Sequence, residues 1–247
     1  MKQQKERIFA IGDVHGALKA LQQLIGKIAP QPEDKLIFLG DYVDGWSQSA
    51  EVIDYLIELD KLHDCIFMKG NHDAWCEEWL ISGKPDSIWV FQGGSVTVDS
   101  YRNVSEEKRT VHLDFFNRMQ NFYIDDQNRL FVHAGFASLR GPQAERYEAN
   151  FRWDRTLWET ALATSPRLNK TSMTYPKRLL LFSEIFIGHT PTTNYGKDKP
   201  MRGSNVWNVD TGAAFRGKIS ALEVNTKKVL QSDNVYTFYP GERGRNV

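Results

Sequence analysis

The first third of the chain repeats one pattern three times: a short apolar stretch, a glycine-containing loop with acidic or amide side chains, and an amphipathic segment. The predicted strands and helices alternate in the order 7–11, 17–28, 36–39, 47–59, 65–68 and 73–81. Because a βαβαβα order favours right-handed crossovers, it predicts a mostly parallel sheet with helices on its faces. The predicted fold class is therefore α/β.

The rest of the chain is less regular. Further strands are predicted at 122–124, 130–133, 185–187, 206–209, 218–224 and 235–239. The polar stretch around 140–180 has no clear period and is predicted to be a cap or long-loop insertion in a single domain that spans 1–247. Residues after Pro240 are expected to fray, and His112 is expected to be a surface or capping residue.

Charge and composition exclude several classes of partner. The 31 basic and 31 acidic side chains leave a formal net charge of 0, so no basic surface for nucleic acid or an anionic membrane is expected. No apolar run is long enough to span a bilayer, and the first residues lack the apolar core of a signal peptide. With only 2 cysteines, the chain suits a reducing cytoplasm; its oligomeric state stays open.

Five short motifs carry the chemistry. In chain order they are Gly12-Asp13-Val14-His15-Gly16, Gly40-Asp41-Tyr42-Val43-Asp44, Gly70-Asn71-His72-Asp73, His133-Ala134-Gly135 and Gly188-His189-Thr190. The first three each lie between a predicted strand and a predicted helix, and the carboxyl ends of parallel strands share one edge of a sheet. Carboxylate, amide and imidazole groups suit two divalent ions, of which Mn is the first choice and Fe or Zn are alternatives. Such a pair activates water and clamps phosphoryl oxygens, so the motifs predict phosphate-ester hydrolysis.

The motifs and their spacing resemble those of the calcineurin-like metallophosphoesterases. There are 24 residues between His15 and Gly40 and 25 between Asp44 and Gly70. The set of five is similar to that of the PPP-type serine/threonine protein phosphatases, in particular their bacterial and phage branch, which 187–191 and 209–218 also resemble. The resemblance implies a sandwich of two mixed β-sheets flanked by helices.

The resemblance also implies a role for each motif residue. Asp13 and His15 would hold the first metal and Asp41 would bridge. The second metal would be completed by Asn71, His133 and His189. His72 would be the general acid for the leaving oxygen, and Asp44 would keep that imidazole protonated.

The chain departs from the family at Gly45-Trp46, where relatives usually have Arg-Gly and the arginine binds the substrate phosphate. Lys69 also stands where many relatives have arginine, and it is a further predicted contact to the substrate phosphate. Arg155, in a Trp-x-Arg segment, is the predicted phosphate clamp, and Arg152 or Arg202 are further candidates to compensate. Trp46 is expected to stack on a tyrosine ring or a nucleobase of the substrate.

Three functions remain open. The first is a phosphomonoesterase that hydrolyses phosphoserine, phosphothreonine or phosphotyrosine in proteins with a dimetal-bound hydroxide. The alternative is a nucleotide phosphohydrolase resembling symmetric diadenosine tetraphosphate hydrolase, acting on a small phosphate ester. The third is a non-catalytic phosphate-binding protein, which the lost arginine suggests.

Overall fold

The computed structural model describes residues 6–245, in which ten strands form two five-stranded sheets. The strands are β1 (Ile8–Ile11), β2 (Lys35–Phe38), β3 (Asp64–Phe67), β4 (Phe122–Ile124), β5 (Arg129–Val132), β6 (Glu184–Ile187), β7 (Met201–Gly203), β8 (Val206–Asn208), β9 (Ser220–Glu223) and β10 (Val229–Gln231). The helices are α1 (Leu18–Ile28), α2 (Ser49–Leu62), α3 (Asn71–Ser82), α4 (Ser87–Trp89), α5 (Ser95–Ser100), α6 (Glu106–Arg118), α7 (Ala149–Trp153), α8 (Thr156–Ala163) and α9 (Lys177–Leu180).

Each sheet has three parallel strands with antiparallel strands beside them. The first sheet has the order β10-β9-β1-β2-β3, in which β1, β2 and β3 are parallel. The second has the order β4-β5-β6-β8-β7, in which β5, β6 and β8 are parallel and both edge strands are antiparallel. The expected sandwich of two mixed sheets with flanking helices is confirmed.

The two sheets pack face to face through alternate side chains of their strands. Ala10 and Ile37 of the first sheet belong to one buried cluster with Phe131 and Phe186 of the second. The rings of Phe131 and Phe186 stack with centroids 4.9 Å apart. Phe9 points the other way and packs with the apolar residues of α1 and α2. This period of two places apolar side chains on both faces of β1, as its uninterrupted apolar sequence requires.

Three local predictions are wrong. Residues 235–239 form a 3-10 turn at Val235–Thr237 instead of a strand, because Val235 N–H donates to the carbonyl of Gly217 at 2.8 Å, outside any sheet. His112 is buried, since its ring bonds to the Tyr101 hydroxyl at 2.8 Å. The segment after Pro240 is held in place, because the Glu242 carboxylate accepts hydrogen bonds from Ser47. No helix in residues 6–245 has the length and apolar character needed to cross a membrane.

Candidate metal centre

The motif loops of both sheets meet at the carboxyl ends of the parallel strands. Asp13, Asp41 and Gly70 follow β1, β2 and β3, while His133 and Gly188 follow β5 and β6. Backbone hydrogen bonds join the loops: Gly188 N–H donates to the His133 carbonyl at 2.8 Å, and Val14 and His15 N–H donate to the Asp41 carbonyl at 3.0 and 2.9 Å. The structure thus brings together motif residues that lie far apart in sequence.

Asp41 lies at the middle of this cluster. Its Oδ1 accepts the backbone N–H of His72 at 3.0 Å, and its Oδ2 lies 3.7 Å from His15 Nε2 and 3.4 Å from His133 Nε2. Two groups of buried ligand atoms, each within 4.8 Å, share this carboxylate: one with His15 and His72, the other with His133 and His189. A residue common to both groups is suitably placed to bridge two ions.

Two imidazoles are oriented by backbone carbonyls. His15 Nδ1 lies 3.2 Å from the Val43 carbonyl, and His133 Nδ1 lies 2.7 Å from the Leu39 carbonyl. Since a carbonyl only accepts, each Nδ1 donates its proton there, and each Nε2 faces Asp41 as the nitrogen that would bind a metal ion. Metal-ligating histidines are oriented in this way.

Asn71 and His189 complete the second group of donors. The Oδ1 of Asn71 lies 3.2 Å from His133 Nε2 and 3.0 Å from His189 Nδ1. Nε2 of His189 is buried without a hydrogen-bond partner among the described residues. A buried polar atom left without a partner is costly, which is a common sign of a ligand site.

Three buried carboxylates concentrate negative charge at this edge. Burial, together with the charges of Asp210 and Asp41, raises the pKa of Asp13 well above its usual value, and burial raises the pKa of Asp210 to about 6. Burial opposes ionisation of Asp41 as well, but the imidazoles of His133 and His72 hold its pKa well below the usual range. Divalent cations would relieve this repulsion, so the donor set fits metal ions.

The loops adopt strained backbone conformations to bring these groups together. Four non-glycine residues have positive φ: His15 at 53°, Asp41 at 55°, Asp44 at 74° and His189 at 67°. Such conformations cost on the order of 1–3 kcal/mol each and cluster at functional sites. A Cβ at Gly188 would overlap Oδ1 of Asp13, so only glycine lets the two strand ends approach this closely.

His72 and Asp44 form a buried pair next to the cluster. His72 Nδ1 lies 2.5 Å from Asp44 Oδ2, and Asp44 also accepts hydrogen bonds from Trp89 Nε1 and Thr97 Oγ1, each at 2.6 Å. Trp89 and Thr97 lie in α4 and α5, a segment for which the sequence predicted neither a helix nor a contact to Asp44. His72 and Asp44 therefore lie in contact, and Trp89 and Thr97 fix the Asp44 carboxylate.

Asp73 is a further residue whose role the sequence does not reveal. Its carboxylate accepts the backbone N–H groups of Asp41, Tyr42 and Gly70 at 2.7, 2.8 and 2.8 Å. Burial and the charge of Asp41 raise its pKa to about 7. Asp73 therefore fixes the second motif to the third.

Two predicted substrate contacts are not available to a ligand. Trp46 is fully buried; its Nε1 donates to the Ala213 carbonyl at 2.7 Å and its ring stacks on Tyr239 at 5.3 Å. Lys69 directs its ammonium to both carboxylate oxygens of Glu77, at 2.7 and 2.6 Å. Trp46 is therefore part of the apolar core, and the charge of Lys69 is balanced by the Glu77 carboxylate.

The predicted arginines differ in position. Arg155 is exposed at the start of α8, and burial first, then the charges of His133 and Arg155 among others, lower the pKa of His189. Arg155 therefore lies within electrostatic reach of the centre. Arg152 is half-buried in α7. Arg202 is an edge-strand residue whose guanidinium lies over the Trp207 ring at 5.5 Å.

An aromatic wall stands beside the centre. We give this name to Trp75 and Trp153, whose ring centroids are 4.9 Å apart. Trp75 lies 5.4 Å from the His72 ring, and Trp153 lies 6.0 Å from the His189 ring. Trp153 is 42% exposed, so it, rather than Trp46, offers a ring face near the donors. In the sequence, only the position of Trp153 in the Trp-x-Arg segment indicated that it would lie near the site.

Comparison with known proteins places the chain among phosphoesterases. The profile described as calcineurin-like phosphoesterase matches residues 6–217. A curated relative from Anoxybacillus flavithermus, bis(5'-nucleosyl)-tetraphosphatase PrpE (asymmetrical), is 25% identical over 86% of this chain and 88% of its own length.

Two solved structures share the fold. A candidate diadenosine tetraphosphatase superposes with a TM-score of 0.65 at 16% identity, covering 95% of this chain and 96% of the other. A protein serine/threonine phosphatase from Saccharomyces cerevisiae gives 0.61 at 15% identity, covering 98% and 84%.

Proposed function

The chain belongs to the calcineurin-like phosphoesterases, and on that premise we propose that it is a metal-dependent nucleotide phosphohydrolase. The proposed substrate is a dinucleoside tetraphosphate, cleaved with one water into a nucleoside triphosphate and a nucleoside monophosphate. The named activity of the curated relatives supports this choice over a protein phosphatase. The sequence alone suggested a symmetrical hydrolase as the alternative function. Because the curated relatives are named for asymmetrical hydrolysis, we propose the asymmetrical reaction instead.

The donor set divides into two metal positions. Asp13, His15 and Asp41 would hold one ion. The other would be held by Asp41, Asn71, His133 and His189. Such ions act as Lewis acids on the phosphoryl oxygens and supply the nucleophile, and Mn is the proposed metal for this oxygen and imidazole set.

The proton for the leaving oxygen comes from His72 in this proposal. Its Nδ1 is engaged by Asp44 at 2.5 Å, so Nε2 is the atom left to donate. Trp89 and Thr97 donate to the Asp44 carboxylate, which fixes its position against the imidazole of His72. Asp41, which accepts the backbone N–H of His72, ties the acid to the metal donors.

The observation that carries the nucleotide assignment is the aromatic wall. Trp153 exposes a large ring within 6.0 Å of His189, where a base attached to the scissile phosphate chain would lie. Stacking of a base on an aromatic side chain contributes roughly 1–3 kcal/mol. Arg155, exposed in the same segment, is the proposed partner for a substrate phosphate, with Arg152 behind it.

The reaction is tested by product analysis with Mn-loaded protein and diadenosine tetraphosphate. Equal amounts of ATP and AMP, separated by anion exchange, are the expected products. ADP alone would show the symmetrical reaction instead. Rapid release of phosphate from phosphopeptides, with no dinucleotide cleavage, would replace this proposal with the protein phosphatase.

The wall is tested with Trp153→Ala. We expect KM for diadenosine tetraphosphate to rise about 5- to 150-fold, the equivalent of one lost stacking contact. β-Glycerophosphate, which carries no ring, is the control substrate, and its KM should change little. An equal rise for both substrates would remove the wall from base recognition.

A further inference from the structure

The C-terminal segment, residues 240–245, folds back onto the loop after β2. The Glu242 carboxylate accepts the backbone N–H of Ser47 at 3.0 Å and its hydroxyl at 2.7 Å. Arg245 N–H donates to the Ala214 carbonyl at 2.7 Å. The expectation that this segment frays is therefore wrong. Arg245 lies beside Gly45, the residue that follows Asp44.

Two glycines make room for the side chain of Arg245. Gly45 has a φ of 90° and Gly93 a φ of 110°; a Cβ on Gly45 would lie 3.3 Å from Arg245 Cγ, and one on Gly93 would lie 3.1 Å from it. The aliphatic stem of Arg245 thus passes between the two backbones. It occupies the space that a side chain at position 45 would enter.

The guanidinium at the end of this stem has only neutral partners in the described structure. It donates to Gln92 Oε1 at 2.7 Å and lies over the Phe215 ring at 5.6 Å. Within residues 6–245 no Asp or Glu oxygen forms an ion pair with it within 4.0 Å. Its charge is therefore available to an anion.

The space that Arg245 fills lies next to the candidate metal centre. A Cβ on Gly45 would lie 3.5 Å from the His15 carbonyl oxygen and 3.6 Å from that of Ala214, which accepts the Arg245 N–H. Gly45 also follows Asp44, whose carboxylate lies 2.5 Å from His72 Nδ1. The Arg245 stem therefore packs against the loop that carries these groups, so the edge near Gly45 is where a bound phosphate chain would find a cation.

We propose that Arg245 is a phosphate-binding residue that holds a phosphate of the substrate next to the one attacked at the metal centre. This inference rests on the proposed function, since only a substrate with consecutive phosphates can engage both positions. The planar guanidinium presents paired N–H donors that match two phosphate oxygens. The C-terminal segment would then supply the arginine that position 45 lacks.

The test compares Arg245→Gln with the wild type on two substrates. For diadenosine tetraphosphate we expect KM to rise about 10- to 150-fold, the effect of one lost charge-assisted hydrogen bond, with kcat changed less than about threefold. For p-nitrophenyl phosphate, which has one phosphate, both constants should stay within about threefold. Unchanged KM for the dinucleotide, or an equal loss on both substrates, would overturn the assignment.

Two further variants separate charge from folding. Arg245→Lys keeps the stem and the charge but loses the paired donors, so it should recover part of the loss. Arg118→Gln is the control for the loss of an arginine that lies over a ring. Arg118 lies over the Phe115 ring at 5.7 Å at the end of α6 and pairs with Asp60 at 3.2 Å, so this variant should behave as wild type. If Arg245→Lys melts like wild type and is as impaired as Arg245→Gln, the positive charge at position 245 does not contribute to substrate binding, and the proposal is overturned.

Inhibition by inorganic tripolyphosphate keeps the test independent of the nucleotide proposal. With p-nitrophenyl phosphate as reporter, tripolyphosphate should inhibit Arg245→Gln about 10- to 150-fold more weakly than wild type. If wild type does not cleave diadenosine tetraphosphate, the proposed function fails while this comparison still reports on Arg245. Equal inhibition of both proteins would refute the phosphate role directly.

Discussion

The pair formed by His72 and Asp44 gives the sharpest prediction of the proposed chemistry. Replacing His72 with Asn removes the donor to the leaving oxygen and keeps a polar side chain of smaller volume. His72 touches the cluster through a ring nitrogen within 4.8 Å of the His15 and Asp41 ligand atoms, but the other donors named for the two ions remain. We therefore expect metal content to stay near two ions per chain.

The size of the effect depends on the leaving group. General acid catalysis contributes about 10²- to 10⁴-fold, so kcat should fall by that factor on a nucleotide or alkyl phosphate. On p-nitrophenyl phosphate, whose leaving group needs little protonation, the fall should be less than about tenfold. The assay is steady-state turnover of both substrates at saturating Mn, with metal content measured on the same preparations.

Asp44→Asn gives a second, independent reading of the same pair. If Asp44 acts through His72, the double variant should be no slower than His72→Asn alone, because two residues that work as a unit are not additive. Equal losses on both substrates in His72→Asn, or additive losses in the double variant, would refute the assignment of His72 as the acid.

The remaining predictions concern metal binding, packing and pH. Gly188→Ala forces a Cβ into Oδ1 of Asp13 and should lower bound Mn below one ion per chain, measured by elemental analysis. Gly26→Ala is the control, because a Cβ there meets nothing within 4 Å. It should keep its full metal content and gain about 0.5–1 kcal/mol of unfolding free energy in urea. Trp46→Ala empties a fully buried position and should cost about 3–5 kcal/mol of unfolding free energy; a loss below 1 kcal/mol would contradict the packing described here. Burial lowers the pKa of His112 below 6.5, so its contribution to stability is complete above that pH and is lost as the pH falls, because the unfolded chain takes up the proton first. The unfolding free energy of His112→Gln should therefore decline less steeply between pH 7 and 5 than that of wild type. Parallel curves for the two proteins would contradict this.

The fold could be predicted from the sequence to a large extent because its signals are local. The strand β2, predicted at 36–39, is found at Lys35–Phe38. This strand, the loop at Asp41 and the helix that follows are encoded by adjacent residues, so alternation alone positions them. The strand predicted at 235–239 failed because Val235 and Tyr239 are buried without joining a sheet. The Tyr239 ring stacks on Trp46 and the Val235 N–H donates to the Gly217 carbonyl, and no local pattern records these contacts. Apolar spacing indicates burial, and only the neighbours decide whether a backbone joins a sheet.

The sequence by itself identified the proposed metal donors Asp13, Asp41 and Asn71, since they follow parallel strands whose ends must share an edge. Tertiary structure alone decided what surrounds them. Trp89 and Thr97 reach Asp44 from 45 and 53 residues away, the aromatic wall replaces Trp46 as the exposed ring, and Arg245 reaches the space beside Gly45. These contacts depend on how distant segments pack, and their free energy comes from burial and hydrogen bonds that form only in the folded chain.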